Sequence, residues 1–504
     1  MLKINHLFFN FILSLYIFFM NYNLLFFVSS KTNSFVFLIS IYIIYFLLVF
    51  VVINILCFFR ILAYFFTFIL IITISFISYF VYNYSVIIDS DMIVNAMATD
   101  SREISDLFSF NMIIYIFFTC IIPILFLFFV RIKNNKILHK IFIILISIIS
   151  LFALIFINSK SLIPFLRAND IIRYYNFPFY QYYSFFKVVK LKFKSPEILN
   201  EISQDAKMLD DEFSKTFILV VGETARAKNY SLGGYTKNDT NFYTKNLDVN
   251  YFTNFTSCGT ATAQSLPCMF SKHKRTEFNK NEAYKNVLSV LNRFIDVYWL
   301  DNNSGGCKGV CNGIKSTIKS ENYDGWLIDD TKQILANKKD KNTLIVVHIQ
   351  GSHGPAYYLR YPNEFAKFQP ICNTNKLQDC SQEALINTYD NTLLYTDFLV
   401  ANLIKILQND KADKKVLFYL SDHGESLGEN GFYLHGMPYY LAPKEQIHIP
   451  AILWQNEEYI NKDKLNLELS QDNLFSSLLG FFNITTKDYD SEYDIFNAKL
   501  NKNK

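Results

Sequence analysis

At 504 residues the chain exceeds what one hydrophobic core usually organises, so two or more domains are expected. Phe occurs 51 times and Tyr 33 times, and the apolar residues crowd into the first third, a pattern of lipid-facing helices that excludes a wholly soluble fold. The net charge of +4 is too small to point to nucleic acid as a partner.

In chain order, five windows qualify as membrane spans: Leu7 to Val28, Phe35 to Phe59, Ile61 to Tyr82, Phe110 to Val130 and Ile137 to Ile157. Each can cross about 30 Å of hydrocarbon as a helix. The first is long for the apolar stretch of a signal peptide and runs into further spans instead of a cleavage site, so it is read as an anchor. A helical loop at 83–109 joins the third span to the fourth. The loop with Arg131, Lys133 and Lys136 is the most basic and is placed on the cytoplasmic side. Five spans then leave the amino terminus inside and everything after Ile157 outside.

Six of the eight cysteines lie beyond the last span, where an oxidising compartment would let disulfides persist. They fall in close pairs, Cys258 with Cys268, Cys307 with Cys311 and Cys372 with Cys380, although spacing alone leaves fifteen connectivities open. A structural zinc on clustered thiols is the alternative, without CxxC spacing or nearby histidine pairs to support it. Cys57 and Cys120 fall inside spans as packing residues.

These features divide the chain into a transmembrane domain (1–157), a connector (158–211) and a catalytic domain (212–504). The connector carries FFKVVKLKFK, suited either to the lipid headgroup layer or to a covered linker helix. Beyond it, short apolar runs alternate with amphipathic stretches. Phe217 to Val221, Ile295 to Leu300, Thr343 to Ile349, Val416 to Leu420 and Ile447 to Leu453 read as buried parallel strands, and Gln382 to Leu407 as a helix. The layout is α/β with a mostly parallel sheet.

Three of those strands end alike, in Gly222-Glu223-Thr224, Gly351-Ser352-His353-Gly354-Pro355 and Asp422-His423-Gly424-Glu425. Ligands of open α/β sheets bind beyond strand carboxyl ends, so Glu223, His353, Asp422 and His423 can converge. Carboxylates with imidazole form a zinc-type ligand set, although an acid after a strand is often only a helix cap. A nucleophile is then wanted on another loop. Phe255 to Ser265 offers Gly, small residues and several hydroxyls ahead of a helix start, among them Thr260 and Thr262.

The segments GETARAKNYSLGGY, SCGTATAQSLPCMFS, DNNSGGCKGVC, GSHGP and SDHGESLGENGFYLHG resemble the blocks of the lipid A phosphoethanolamine transferases. That group includes the mobile colistin-resistance enzymes and lies within the alkaline phosphatase and sulfatase superfamily. The resemblance spans nearly the whole chain and implies a bacterial inner-membrane protein with five helices and a periplasmic α/β domain. It implies zinc held by Glu223, Thr262, Asp422 and His423, one ion firmly and a second optional. It implies that Lys308, His353 and His435 line the substrate side, with Arg226 and His348 nearby. The first and last cysteine pairs match the family's disulfides, whereas the middle pair varies among members. In the loop after the third span, Asn95, Thr99 and Glu103 resemble the family's lipid-proximal helix, and their spacing of four puts them within about an 80° arc. Ser304 in DNNSGG joins this substrate set.

The activity so implied is transfer of phosphoethanolamine from phosphatidylethanolamine to phosphate groups of lipid A, with other acceptors open. Threonine is a poor nucleophile at neutral pH, and zinc would activate Thr262 to form a phosphoethanolamine-threonine intermediate and release diacylglycerol. His353 and His435 suit the acid and base tasks because imidazole titrates near neutrality. Added amines would lower surface negative charge and weaken binding of cationic antimicrobial peptides. The rivals are a phosphoglycerol transferase or sulfatase of the same superfamily and a non-catalytic membrane scaffold.

Overall fold

The structure, a computed structural model, describes residues 2–97, 101–192, 199–279, 284–303, 306–339, 342–460 and 462–497. By backbone proximity the chain falls into two units, Met1–Ser90 with Phe108–Lys187, and Asp91–Leu107 with Val188–Lys504. The segment between the third and fourth spans therefore groups with the later unit.

In the first unit, four of the described helices are long and apolar enough to cross a membrane: Phe35–Leu56, Arg60–Tyr84, Phe110–Phe129 and Ile137–Ala168. The expected first span is instead a pair, His6–Met20 and Tyr22–Lys31, bent by 59° and able to serve as a fifth. The break falls at Asn21, whose side-chain amide donates to the carbonyls of Ile17 (2.8 Å) and Phe177 (2.9 Å) while its oxygen accepts from Phe177 N (2.8 Å). Backbone groups freed by a break in hydrocarbon must be satisfied internally, and this side chain does so.

Proline explains the irregular fourth span in the same way. Pro123 has no N–H and its ring crowds the carbonyl four residues back. A π-helical turn forms at Phe117–Ile121, and the Thr119 carbonyl accepts from Tyr16 Oη (2.6 Å) and Ser75 Oγ (2.9 Å) on other helices. The last span is longer than expected, running on to Ala168. Leu2–Asn5 pairs in parallel with Val130–Lys133, which puts the amino terminus and the basic loop on the same side of this unit.

The second unit is built on a seven-stranded sheet. Its strands are β1 (Lys215–Gly222), β2 (Asn250–Tyr251), β3 (Asp296–Asp301), β4 (Lys315–Ile318), β5 (Thr343–His348), β6 (Lys414–Ser421) and β7 (Ala451–Gln455). The spatial order is β2-β7-β6-β1-β5-β3-β4. β6, β1, β5, β3 and β4 run parallel, whereas β7 is antiparallel to both β6 and β2, so the sheet is mixed rather than uniformly parallel. Every residue of β1 is buried. Phe217, Leu219 and Val221 enter one core with the helices Val287–Leu291 and Leu474–Phe481. Ile218 and Val220 enter the other, with Leu393, Leu399, Val400, Leu403 and Leu407 of the helix Gln382–Gln408. Full burial of each such side chain stabilises by about 1.5–3 kcal/mol, which is why β1 is apolar on both faces and not alternating.

The expected strand from Ile447 to Leu453 is two strands. Pro450, which cannot donate to a ladder, divides β7 from His448–Ile449, and the latter joins a small separate sheet with Phe255–Thr256 and Leu469–Ser470.

Candidate active site

Register carries the site. Ser421 pairs with Gly222, Val221 with His348 and His348 with Asp301, so the carboxyl ends of β6, β1, β5 and β3 stop side by side. The next residues, Asp422 and Glu223, are thereby neighbours, and the ligand atoms of Glu223, Asp422 and His423 lie within 4.8 Å of one another. All three are buried. His423 Nε2 is 3.4 Å from Glu223 Oε1 and 3.3 Å from Asp422 Oδ2.

Burial and then the charge of Glu223 push the Asp422 carboxyl up to about 6. Burial alone would lower the His423 imidazole, but the charges of Asp422 and Glu223 outweigh it and lift it to about 10. Burial also opposes ionisation of Glu223, yet hydrogen bonding and attraction from His423 hold its carboxyl well below the usual range. Asp422 Oδ1 accepts from Thr224 N (3.1 Å) and His423 N (2.7 Å), whereas Oδ2 is buried with no hydrogen-bond partner. Two buried carboxylates, one imidazole and an unsatisfied carboxylate oxygen suit a divalent cation with oxygen and nitrogen ligands. Thr224 sits at φ 59°, a strained conformation for a β-branched residue, held by its bonds to Asp422 and Glu223.

Thr262 joins this cluster. It opens the helix Thr262–Met269, and its Oγ1 donates to Glu223 Oε2 at 3.0 Å and lies 3.3 Å from His423 Nε2. Thr260 is turned elsewhere, donating to the Met437 carbonyl (2.5 Å). First-turn amides of a helix lack intrahelical acceptors, so this end also offers N–H groups to an anion.

The brace of this loop is not the expected bridge. Cys258 and Cys268 are free buried thiols, and Cys258 Sγ is engaged by Asp472 Oδ1 at 3.3 Å. Gln471 holds the loop instead. Its Oε1 accepts from Cys258 N (2.6 Å) and Ser265 Oγ (2.7 Å), and its Nε2 donates to the carbonyls of Ser421 and Asp422 (both 2.8 Å). One amide thus ties the threonine's helix to the end of β6. Cys307–Cys311 and Cys372–Cys380 are bonded disulfides.

The two further histidines stand beside the cluster. The His435 ring centre is 4.3 Å from that of His423 and 6.0 Å from that of His353. His435 Nδ1 meets Glu425 Oε2 at 2.8 Å, and Glu425 in turn accepts from Tyr357 Oη. Glu425 was not singled out from the sequence, although its place three residues after Asp422 was the available signal. Asn303, likewise unremarked, donates to Glu223 Oε2 (2.7 Å) and to the Ile349 carbonyl (3.1 Å). It begins the loop that carries Lys308, which is half-buried between the bridged cysteines.

Arg226 is spent on protein groups, donating to Asn229 Oδ1 (2.8 Å), Glu429 Oε1 (2.7 Å) and the Glu425 carbonyl (3.3 Å). His348 Nδ1 pairs with Asp301 Oδ1 at 3.1 Å in full burial. Asn95 is half-buried on the helix Ser90–Met97. Thr99, Ser304 and the side chain of Glu103 lie outside the described residues, so the expected shared arc of Asn95, Thr99 and Glu103 is not traced.

Gly424 shows how tightly this end is packed. A Cβ there would lie 2.1 Å from the Glu445 carbonyl oxygen, a backbone atom that cannot swing aside. Gly424→Ala is expected to cost about 3 kcal/mol and to displace His423. A thermal melt with a metal-binding titration would check both, and an unchanged melt with full metal uptake would contradict the packing argument.

Known proteins share this architecture. A family model described as phosphoethanolamine transferase EptA/EptB matches residues 44–193, and one described as sulfatase matches residues 215–484. Phosphoethanolamine transferase EptA of Salmonella typhimurium is 38% identical over 463 residues, covering 83% of this chain and 82% of its own. The solved structure of the integral membrane lipooligosaccharide phosphoethanolamine transferase A of Neisseria meningitidis superposes with a TM-score of 0.92 at 29% identity, covering 97% of this chain and 98% of that one. The C-terminal periplasmic domain of phosphoethanolamine transferase EptC of Campylobacter jejuni is 56% identical over 61% of this chain and 100% of that one, with a TM-score of 0.59. With its apolar helices, its sulfatase-like domain and these relatives, the chain belongs to the EptA/EptB family of phosphoethanolamine transferases.

Proposed function

We propose that this transferase takes phosphoethanolamine from phosphatidylethanolamine, holds it on Thr262 and passes it to a phosphate group of lipid A. The observation that carries this is Thr262 Oγ1 standing at hydrogen-bond distance from Glu223 in a buried cluster that suits a metal. Glu223, Asp422, His423 and Thr262 would hold zinc, which when bound favours the alkoxide and offsets negative charge on phosphoryl oxygens. A second ion near His353 and His435 stays optional.

The Thr262 hydroxyl gives up its proton to solvent and Oγ attacks the donor phosphorus; the Oγ–P bond forms and the bond from phosphorus to the glyceryl oxygen breaks. His435, its Nδ1 fixed by Glu425, presents Nε2 to protonate that leaving oxygen and release diacylglycerol. An oxygen of a lipid A phosphate then attacks the same phosphorus, the Oγ–P bond breaks, and Thr262 Oγ and His435 Nε2 each take a proton back from solvent. Amides at the start of the threonine's helix, with Lys308, receive the phosphoryl oxygens.

Both substrates are lipids, which gives the apolar helices their purpose. The lipooligosaccharide and periplasmic domain in the relatives' descriptions support an inner-membrane location with the catalytic unit in the periplasm. The first domain would end near Ile157, with 158–211 as connector and 212–504 catalytic.

The test is intact mass measurement of the zinc-loaded, full-length protein incubated with phosphatidylethanolamine alone. A gain of one phosphoethanolamine, mapped to Thr262, is expected. Turnover of donor with no adduct under rapid quench, or an adduct elsewhere, would overturn the proposal.

A further inference from the structure

Arg360 has no part in the chemistry above, yet it is 5% exposed and bonded in two directions. Its Nε donates to the carbonyl oxygen of His353 at 2.8 Å. Its Nη2 forms an ion pair with Asp106, whose side chain is 9% exposed. Asp106 lies on the helix Ser101–Leu107, in the segment between the third and fourth spans, and its own carbonyl accepts from Asn375 Nδ2 (2.7 Å). The other end of that segment is seated as well. Met92 packs so closely over Gly436 that a Cβ there would meet its Cε at 2.5 Å, and Gly436 directly follows His435.

The segment that carries Asn95 is thus fastened at two points, one beside each of the two histidines. We infer that Arg360 is a positioning residue that holds His353 and the interspan segment in a fixed relation, so that the donor headgroup is met by both together. The assignment rests on the transfer chemistry proposed above. Arginine suits the task because its planar fork reaches two acceptors in different directions, whereas a lysine is a single point of charge. Both partners are largely removed from water, so losing either leaves a buried charge uncompensated and the link is costly to break.

The test compares wild type, Asp106→Asn, Arg360→Gln and the double variant, all full-length and zinc-loaded in detergent micelles. The substrate is a fluorescently labelled phosphatidylethanolamine. Asp106→Asn removes the ion pair at one end of the segment but leaves the bond to His353, so KM is expected to rise about tenfold with kcat within about twofold of wild type. Arg360→Gln loses both bonds, and kcat should fall about tenfold in addition. The double variant should match Arg360→Gln, because Asp106 then has nothing left to hold.

Multiplying effects in the double variant would overturn the assignment. So would an Asp106→Asn variant that lowers kcat as far as Arg360→Gln, since a merely structural loss gives no such split. Asp106→Asn lies outside the catalytic domain's core and is isosteric, so a folded protein is available even if Arg360→Gln melts early; an unchanged KM in it is then decisive against the link. A wild type that leaves phosphatidylethanolamine untouched would instead overturn the proposed transfer, and this assignment with it.

Discussion

Replacing Thr262 with alanine is expected to abolish transfer, lowering the rate by at least about a thousandfold while the protein still folds. The side chain is 6% exposed and sits at a helix start, where alanine is tolerated and no large cavity results. What is lost is a hydroxyl within hydrogen-bond distance of both Glu223 Oε2 and His423 Nε2. Removing a nucleophile that works as a unit with its neighbours removes most of what the unit achieves. Thr262→Ser keeps the oxygen but frees its rotation, and a loss of about tenfold is expected there. Release of labelled diacylglycerol, measured with intact mass of both variants, checks this. Full activity in the alanine variant would remove Thr262 from the mechanism.

Asp422→Asn should produce an opposite pair of effects. Metal-dependent activity and the rise in Tm on adding zinc should both vanish, because one of the two carboxylates proposed to hold the metal is gone. The metal-free variant, however, should lack the fall in stability that the Asp422 carboxyl gives metal-free wild type between about pH 4 and pH 6. The sign follows from the carboxyl being raised from 3.8 to about 6. An acid whose folded value is raised binds its proton more tightly in the native state, so its favourable contribution is present at low pH and is lost as pH rises from about 4 to about 6. At about 1.36 kcal/mol per unit, the loss is about 3 kcal/mol at neutral pH. Asparagine is neutral throughout and can still accept through Oδ1 from Thr224 N and His423 N. The buried cluster then carries one carboxylate against one imidazolium instead of two. Melting curves with and without chelator, at pH 4.5 and pH 7, give the comparison. A metal-free variant whose stability falls between pH 4.5 and pH 7 as steeply as that of wild type would refute the electrostatic account.

The convergence of Glu223, Asp422 and His423 was legible because strand ends in a parallel core stop together, and the apolar runs marked where those ends fall. Thr262 was legible only through motif resemblance, since Thr260 has the same chemistry two residues away and is separated from it by local backbone geometry alone. Gln471 could not be read at all. It stands in a polar turn far along the chain and acts through four contacts that exist only once the fold has brought 258, 265 and 421 together. The expected Cys258–Cys268 bridge is not formed, although the two Sγ atoms lie within 4.8 Å of one another and of an Asp472 carboxylate oxygen. Pro450 is a strand breaker set within an otherwise apolar run that reads as continuous. Bending at Asn21 had no such marker, since its partner lies 156 residues away.

That distance has a consequence for how the protein is made. Asn21 emerges from the ribosome long before Phe177 exists, so during early synthesis its side-chain amide has only the Ile17 carbonyl, one turn back, to bond. An unbroken helix satisfies its own backbone in the meantime. The bonds that Phe177 makes at the 59° break are therefore available only once residue 177 has been made, after the four other long apolar helices.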